Sequence, residues 1–332
     1  MTESSALAID NLNVHIGGQP VLTDVSLRVA PGEAVGLVGE TGSGKTMTVR
    51  TATGLLHRLG GRITSGRVRV AGTDLTRGTD RDWRRVQGRT IALVPQSSMS
   101  SLDPLMSIGH QLGETVRALG GPTGGDRRAA VRGLLEAVQL TPDDRLLRAY
   151  PHELSGGMRQ RVMIALALAG NPRILVADEP TTALDAAIRR EILALLSSLR
   201  HSRGLGLLLV SHDLGSISAT TDTTVVMYAG RTVEAGPTSE IFEQPAHPYT
   251  EALLAALPER TPPGTRIPAI GGRPPLPGEV RAGCAFAARC PVAEPACHTI
   301  EPPTVSVSTT RTAACLQHTS PGERPHRKEL VG

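Results

Sequence analysis

Apolar residues recur at alternate positions along the first part of the chain. Leu7, Ile9, Leu12 and Val14 form a loose alternation and Val25, Leu27 and Val29 a tight one, so residues 7–38 read as short strands broken by turns. Pro31-Gly32 then leads into Ala34-Val35-Gly36-Leu37-Val38, an unbroken apolar run that predicts a fully buried strand. After a glycine-rich loop, Thr46 to Leu59 reads as a helix ended by Gly60-Gly61. Residues 90–95 predict a second buried strand. From 97 to about 172 strand signals vanish, and helical periods take over at 106–119, 127–139 and 156–170. The pattern then alternates again: a strand at 174–177, a helix at 186–200, and strands at 206–211 and 223–228.

Strands alternating with helices imply a parallel sheet with crossover helices. The expected fold is α/β, with a mainly parallel sheet, an antiparallel β part at the N-terminus and a helical subdomain inserted at about 97–172. Composition shifts after 244, so the expected division is 1–244 and 245–332. Seven prolines between Pro258 and Pro277 predict a stiff, partly extended connector, followed by a cysteine-bearing segment and a final dozen residues that read as disordered.

The composition narrows the function. A length of 332 residues allows two domains at roughly 150 residues each. Lys and Arg total 35, yet the only lysines are Lys45 and Lys328, so a retained lysine marks a position where Arg does not fit. No run of 18 apolar residues occurs, and the N-terminus shows no basic region followed by an apolar stretch, so neither a membrane span nor a secretory signal is expected. A net charge of +4 with only one Trp, three Tyr and two Phe argues against single-stranded nucleic acid, which needs stacking platforms. All four cysteines follow residue 280, which without an export signal reads as a reduced metal or cluster site rather than two disulfides.

The chemistry concentrates in three segments. Gly39-Glu40-Thr41-Gly42-Ser43-Gly44-Lys45-Thr46 lies between a buried strand and a helix. Its glycines let successive N–H groups turn inward on phosphate oxygens, Lys45 adds a compact charge, and the Thr46 hydroxyl suits Mg²⁺. This predicts a P-loop nucleotide-binding core; the plain alternative is a glycine-rich turn before an ordinary helix. Ile174-Leu175-Val176-Ala177-Asp178-Glu179 ends a buried strand in two carboxylates. Asp178 is placed to hold Mg²⁺ and Glu179 to orient and deprotonate a water, although alone the pair could be a solvated acidic turn. In Leu154-Ser155-Gly156-Gly157-Met158-Arg159-Gln160, Ser155 caps a long helix. It could be a cap and nothing more, or a second phosphate-directed helix start. One γ-phosphate cannot readily use both loops of one subunit, which points to a dimer with shared sites.

In order and spacing these segments resemble the ATP-binding cassette (ABC) family across residues 7–240. The resemblance implies a Walker A loop at Gly39–Thr46, a Walker B strand at 174–179 and the family signature at Ser155, Gly156, Gly157 and Gln160. It makes Gln96 the Q-loop glutamine that senses Mg²⁺ and water, Ala183-Leu184-Asp185 the D-loop, and His212 the switch histidine at the γ-phosphate. The catalytic set it implies is Glu179, His212 and Gln96, with Mg²⁺ on Thr46, Gln96 and Asp178. Where the family usually stacks an aromatic on adenine, this chain has Val14-His15-Ile16, so adenine is expected to rest on His15 or Ile16.

The match is closer to the ATPase subunits of oligopeptide and dipeptide importers, carried by residues 150–168, 177–185 and 101–104, by His247-Pro248-Tyr249-Thr250, and by the tail. It implies ATP clamped between two ATPase subunits, the second expected to be a different homologous chain. It further implies two transmembrane permeases, an extracytoplasmic binding protein and a place on the cytoplasmic face of the membrane. Relatives also carry nickel chelates, glutathione or opines, and a soluble DNA-repair or translation ATPase, or a regulatory module without turnover, is the other class. From spacing alone Cys284, Cys290, Cys297 and Cys315 leave zinc, an iron–sulfur cluster and free thiols open. The resemblance selects a [4Fe–4S] cluster.

Overall fold

The computed structural model describes residues 5–96, 101–182, 184–257, 264, 268–279 and 282–319. Ala183, most of the stretch from Pro258 to Arg266 and the final dozen residues with Lys328 lie outside the described residues.

Two sheets carry the fold. β1 (Leu7–Ile16), β2 (Gln19–Val29), β4 (Gly61–Val70) and β5 (Thr73–Asp74) form an antiparallel sheet in the order β2-β1-β4-β5. The main sheet contains β3 (Ala34–Val38), β6 (Ile91–Val94), β7 (Ile174–Asp178), β8 (Gly206–Val210), β9 (Thr223–Tyr228) and β10 (Arg231–Pro237), together with the short β11 (Val305–Ser306) and β12 (Thr312–Ala313). Its order is β11-β12-β10-β9-β3-β8-β7-β6, and the five strands from β9 to β6 are parallel. The apolar runs at β3, β7 and β8 are buried along their whole length, as a sheet covered on both faces requires.

Period-two alternation splits each of these strands between two cores. Val35, Leu37, Val176 and Val210 pack with Leu7, Ile9 and Val14 of the antiparallel sheet and with Val49 of the helix Lys45–Ala52. Ala34, Val38, Ala177 and Leu209 face the other way, onto Ile164, Leu168, Ile192 and Leu196 of the helices Gly156–Leu168 and Ala186–Arg203. Among the described residues no strand interrupts the helical stretch between β6 and β7.

The helix expected from Thr46 to Leu59 is shorter than its sequence suggests. It ends at Ala52, and a separate 3₁₀ turn spans Leu56–Leu59. Gly54 follows the helix end with a left-handed φ of +73°, and only a glycine fits there because the Trp83 ring lies where a Cβ would sit, 2.2 Å away. β4 carries little strand signal in the sequence, because its Arg, Thr and Ser residues mask the inward Ile63, Val68 and Val70. The tail beyond 245 adds to the main sheet: β12 pairs with β10, placing Ala313 opposite Glu234.

Candidate nucleotide site

The loops after β3, β6, β7 and β8 leave the carboxyl edge of neighbouring parallel strands, where open α/β sheets bind their ligands. The loop 39–46 follows β3, the innermost of these strands. Gly39 has a φ of +150°, and a Cβ there would lie 2.2 Å from the Met227 carbonyl oxygen, so no other residue fits this turn without displacing β9. The loop runs into the helix Lys45–Ala52, whose N-cap Gly44 is left-handed. Lys45 is buried, and its Nζ donates to the carbonyls of Gly39 (2.6 Å) and Glu40 (3.1 Å), which curls the side chain back over the loop. Burial lowers the Lys45 pKa, against the opposing pull of Glu179, Asp178 and Glu40. Thr46 follows, half-buried at the helix start.

β7 delivers Asp178 and Glu179 beside this loop. Asp178 is buried, and its carboxyl is pushed up to about 6 by burial and then by the neighbouring Glu179, with Lys45 and Arg50 offsetting only part of the rise. The Asp178 carboxyl, the Thr46 hydroxyl and the Gln96 amide oxygen, each in or beside a loop on this edge, are the hard oxygen donors that suit Mg²⁺.

Glu179 is the hub of the site. Its carboxylate accepts from the Gln96 Nε2 at 2.7 Å and from the Thr182 hydroxyl at 3.0 Å, and its other oxygen lies 3.3 Å from the His212 Nδ1. The structure therefore brings Gln96 after β6, Glu179 after β7 and His212 after β8 into direct contact. Glu179 has a φ of +49°, unusual for a residue with a Cβ, and its N–H is anchored on the Val210 carbonyl at 2.9 Å. The His212 loop is held from behind: Asp213 caps the following helix and pairs with Arg189 at 2.9 Å. Thr182, Arg189 and Asp213 were not expected from sequence.

The Ser-Gly-Gly segment sits apart from the phosphate loop. Ser155 is exposed and caps its helix by accepting from the Met158 N–H at 3.3 Å. Gly156 and Gly157 pack against Leu184 and Ile188, on the segment that Asp185 caps by accepting from the Ala187 and Ile188 N–H groups. Among the described residues no hydrogen bond or ion pair joins 155–160 to 39–46. Gln160, expected to face a partner's nucleotide, is 3 % exposed, and its amide nitrogen has no partner among the described residues. His15 bonds to Thr64 at 3.2 Å, and Ile16 is half-buried against the core of the antiparallel sheet.

The structure gathers the four cysteines expected to hold a metal but gives no support for a cluster there. Cys284, Cys290, Cys297 and Cys315 are free and line one small apolar pocket with Phe286 and Leu316. Among the described residues, however, no group of three or more His, Cys, Asp or Glu is arranged to hold a metal ion. Burial, helped by the neighbouring thiols, pushes Cys284 up to about 11 and also raises Cys290 and Cys315. No described helix is long and apolar enough to cross a membrane.

The sheet edge and its loops define a P-loop ATPase of the ABC type. Residues 22–182 match the ABC transporter family, and residues 233–297 match the oligopeptide/dipeptide transporter C-terminal region. Over 323 residues the chain is 37% identical to the oligopeptide transport ATP-binding protein AppD of Bacillus subtilis (strain 168), covering 96% of this chain and 98% of that one. It is also similar to the ATP-binding cassette MJ0796, solved as a dimer in a post-hydrolysis state bound to ADP and Pi, with a TM-score of 0.61 and 26% identity over 70% of this chain and 98% of the other. The fold is shared with CbiO1 of Clostridium perfringens, at a TM-score of 0.64 and coverages of 73% and 92%. The chain belongs to the ABC transporter family and is one of its ATPase subunits.

Proposed function

We propose that this chain hydrolyses ATP to drive the import of di- or oligopeptides. The contact of Glu179 with both Gln96 and His212 beside the phosphate loop carries the catalytic half of the reading. The oligopeptide/dipeptide C-terminal region and the resemblance to AppD support the cargo. In this reading Gly39–Thr46 wrap the phosphates with inward N–H groups, and Lys45 leaves its loop carbonyls to meet them. Thr46, Gln96 and Asp178 would hold Mg²⁺, which when bound neutralises phosphate charge. Glu179 accepts a proton from the attacking water, with Gln96, Thr182 and His212 fixing the direction of its carboxylate.

Ser155 is exposed and makes no hydrogen bond to the phosphate loop among the described residues, which supports a clamp in which it meets ATP held by a second, homologous ATPase subunit. Asp185 lies at the same face. Residues 1–244 would form the cassette and 245–332 its extension, working at the cytoplasmic face of the membrane with two permeases and an extracytoplasmic binding protein. Uptake of a labelled tripeptide by cells carrying Glu179→Gln in place of the unaltered chain tests the reading. Uptake is expected to fall to background while the variant still binds ATP. Normal uptake by the variant would remove peptide import from the chain.

A further inference from the structure

Arg289 lies in the cysteine-bearing tail, one residue before Cys290 and 249 positions from Glu40. Its guanidinium nevertheless grips Glu40, the second residue of the phosphate loop, through two parallel bonds: Nη1 to Oε2 at 2.7 Å and Nη2 to Oε1 at 3.0 Å. The other N–H groups are used as well. Nε donates to the Gly271 carbonyl at 2.7 Å, Nη1 to the Tyr228 hydroxyl at 3.2 Å and Nη2 to the Ile270 carbonyl at 3.2 Å. The Arg289 side chain is only 5% exposed. The same face of the loop is held again by Tyr249, whose hydroxyl accepts from the Glu40 N–H at 2.7 Å. Tyr228, Tyr249 and Phe286 pack as one aromatic cluster behind these bonds, with ring centroids 4.6 to 5.3 Å apart.

A carboxylate in a phosphate-binding loop opposes its ligand, because it puts negative charge beside the phosphates that the loop must attract. A fully satisfied, bidentate guanidinium removes that opposition and fixes the side chain geometrically. We propose that Arg289 is a positioning residue of the nucleotide site, through which the C-terminal extension neutralises Glu40 and holds the phosphate loop in its ATP-binding form. The inference rests on the nucleotide reading above and adds the tail to that site.

The test is the dissociation constant of the full chain for AMP-PNP. Arg289→Met keeps an apolar stem against Tyr228 and Phe286 but strands the Glu40 carboxylate. It is expected to bind about tenfold more weakly, with the loss in KM for ATP rather than in kcat, and the loss is expected to shrink at high salt. The double variant Glu40→Gln/Arg289→Met is expected to regain most of that affinity over Arg289→Met alone, which a merely structural role for Arg289 would not allow. Arg289→Lys keeps the charge without the fork and should lose about threefold; if the Met variant does not fold, a Lys variant that binds like the unaltered chain overturns the proposal. So does an Arg289→Met chain that binds AMP-PNP as tightly as the unaltered one, or a double variant with no recovery. An unaltered chain that binds no AMP-PNP overturns the nucleotide reading and this inference together.

Discussion

Glu179 concentrates the chemistry because three loops converge on one carboxylate. Its left-handed φ would be strained in isolation and persists because its N–H is tied to Val210 while its oxygens are held by Gln96, Thr182 and His212. Removing one of these ties loosens the base without deleting it. Gln96→Ala is therefore expected to lower turnover by about tenfold or more, less than loss of Glu179 itself, in a steady-state phosphate-release assay. Behind the loop, Tyr249→Phe deletes the acceptor of the half-buried Glu40 N–H and is expected to cost about 1 kcal/mol in denaturant unfolding. An unchanged midpoint would mean that water or a shifted loop replaces the hydroxyl. Lys45, Asp178, Glu179 and Ser155 are legible in the sequence because a short motif fixes each one's backbone locally. Arg289 and Tyr249 are not, since nothing near them in the chain points to Glu40; only the folded tail brings them together.

At the scale of elements, the extension is joined to the core through β10 and β12, through the Arg289–Glu40 pair and through a second, fully buried ion pair. Glu234 on β10 is fully enclosed and accepts from the Arg311 Nη2 at 2.8 Å and from the Ala246 and His247 N–H groups, each at 2.9 Å. Arg311→Ala would leave that carboxylate unpaired, an expected loss of about 3–5 kcal/mol seen as a lower melting temperature. A melting temperature like that of the unaltered chain would show that the tail does not stabilise the core through this pair. The parallel strands were readable from their apolar runs, and the order of helices from their periods. β4 and the short tail strands were not, because half-exposed strands rich in Arg, Thr and Ser carry little periodic signal. The scarcity of aromatics has a structural reading too: three of the few in the chain gather where the tail meets the phosphate loop.

For the whole molecule, pH reports on the same joint. His247 is buried, its Nδ1 accepts from the Tyr249 N–H at 3.0 Å, and burial followed by the nearby His318 lowers its pKa from 6.5 to about 4. Between those values the unfolded chain binds more protons than the folded one, so stability rises with pH across the window. Acidification from about 6.5 towards 4 is expected to cost up to about 3 kcal/mol from this group. His247→Asn, which keeps a capping oxygen, should flatten that slope in unfolding titrations; an unaltered slope would assign the acid sensitivity elsewhere.

The chain turns over ATP through a carboxylate held at the edge of its main sheet. ATP binding and phosphate release measured side by side for the unaltered chain and Glu179→Gln test it most directly. The variant is expected to bind ATP as the unaltered chain does and to release phosphate at least about a hundredfold more slowly. Phosphate release at the unaltered rate would contradict the claim.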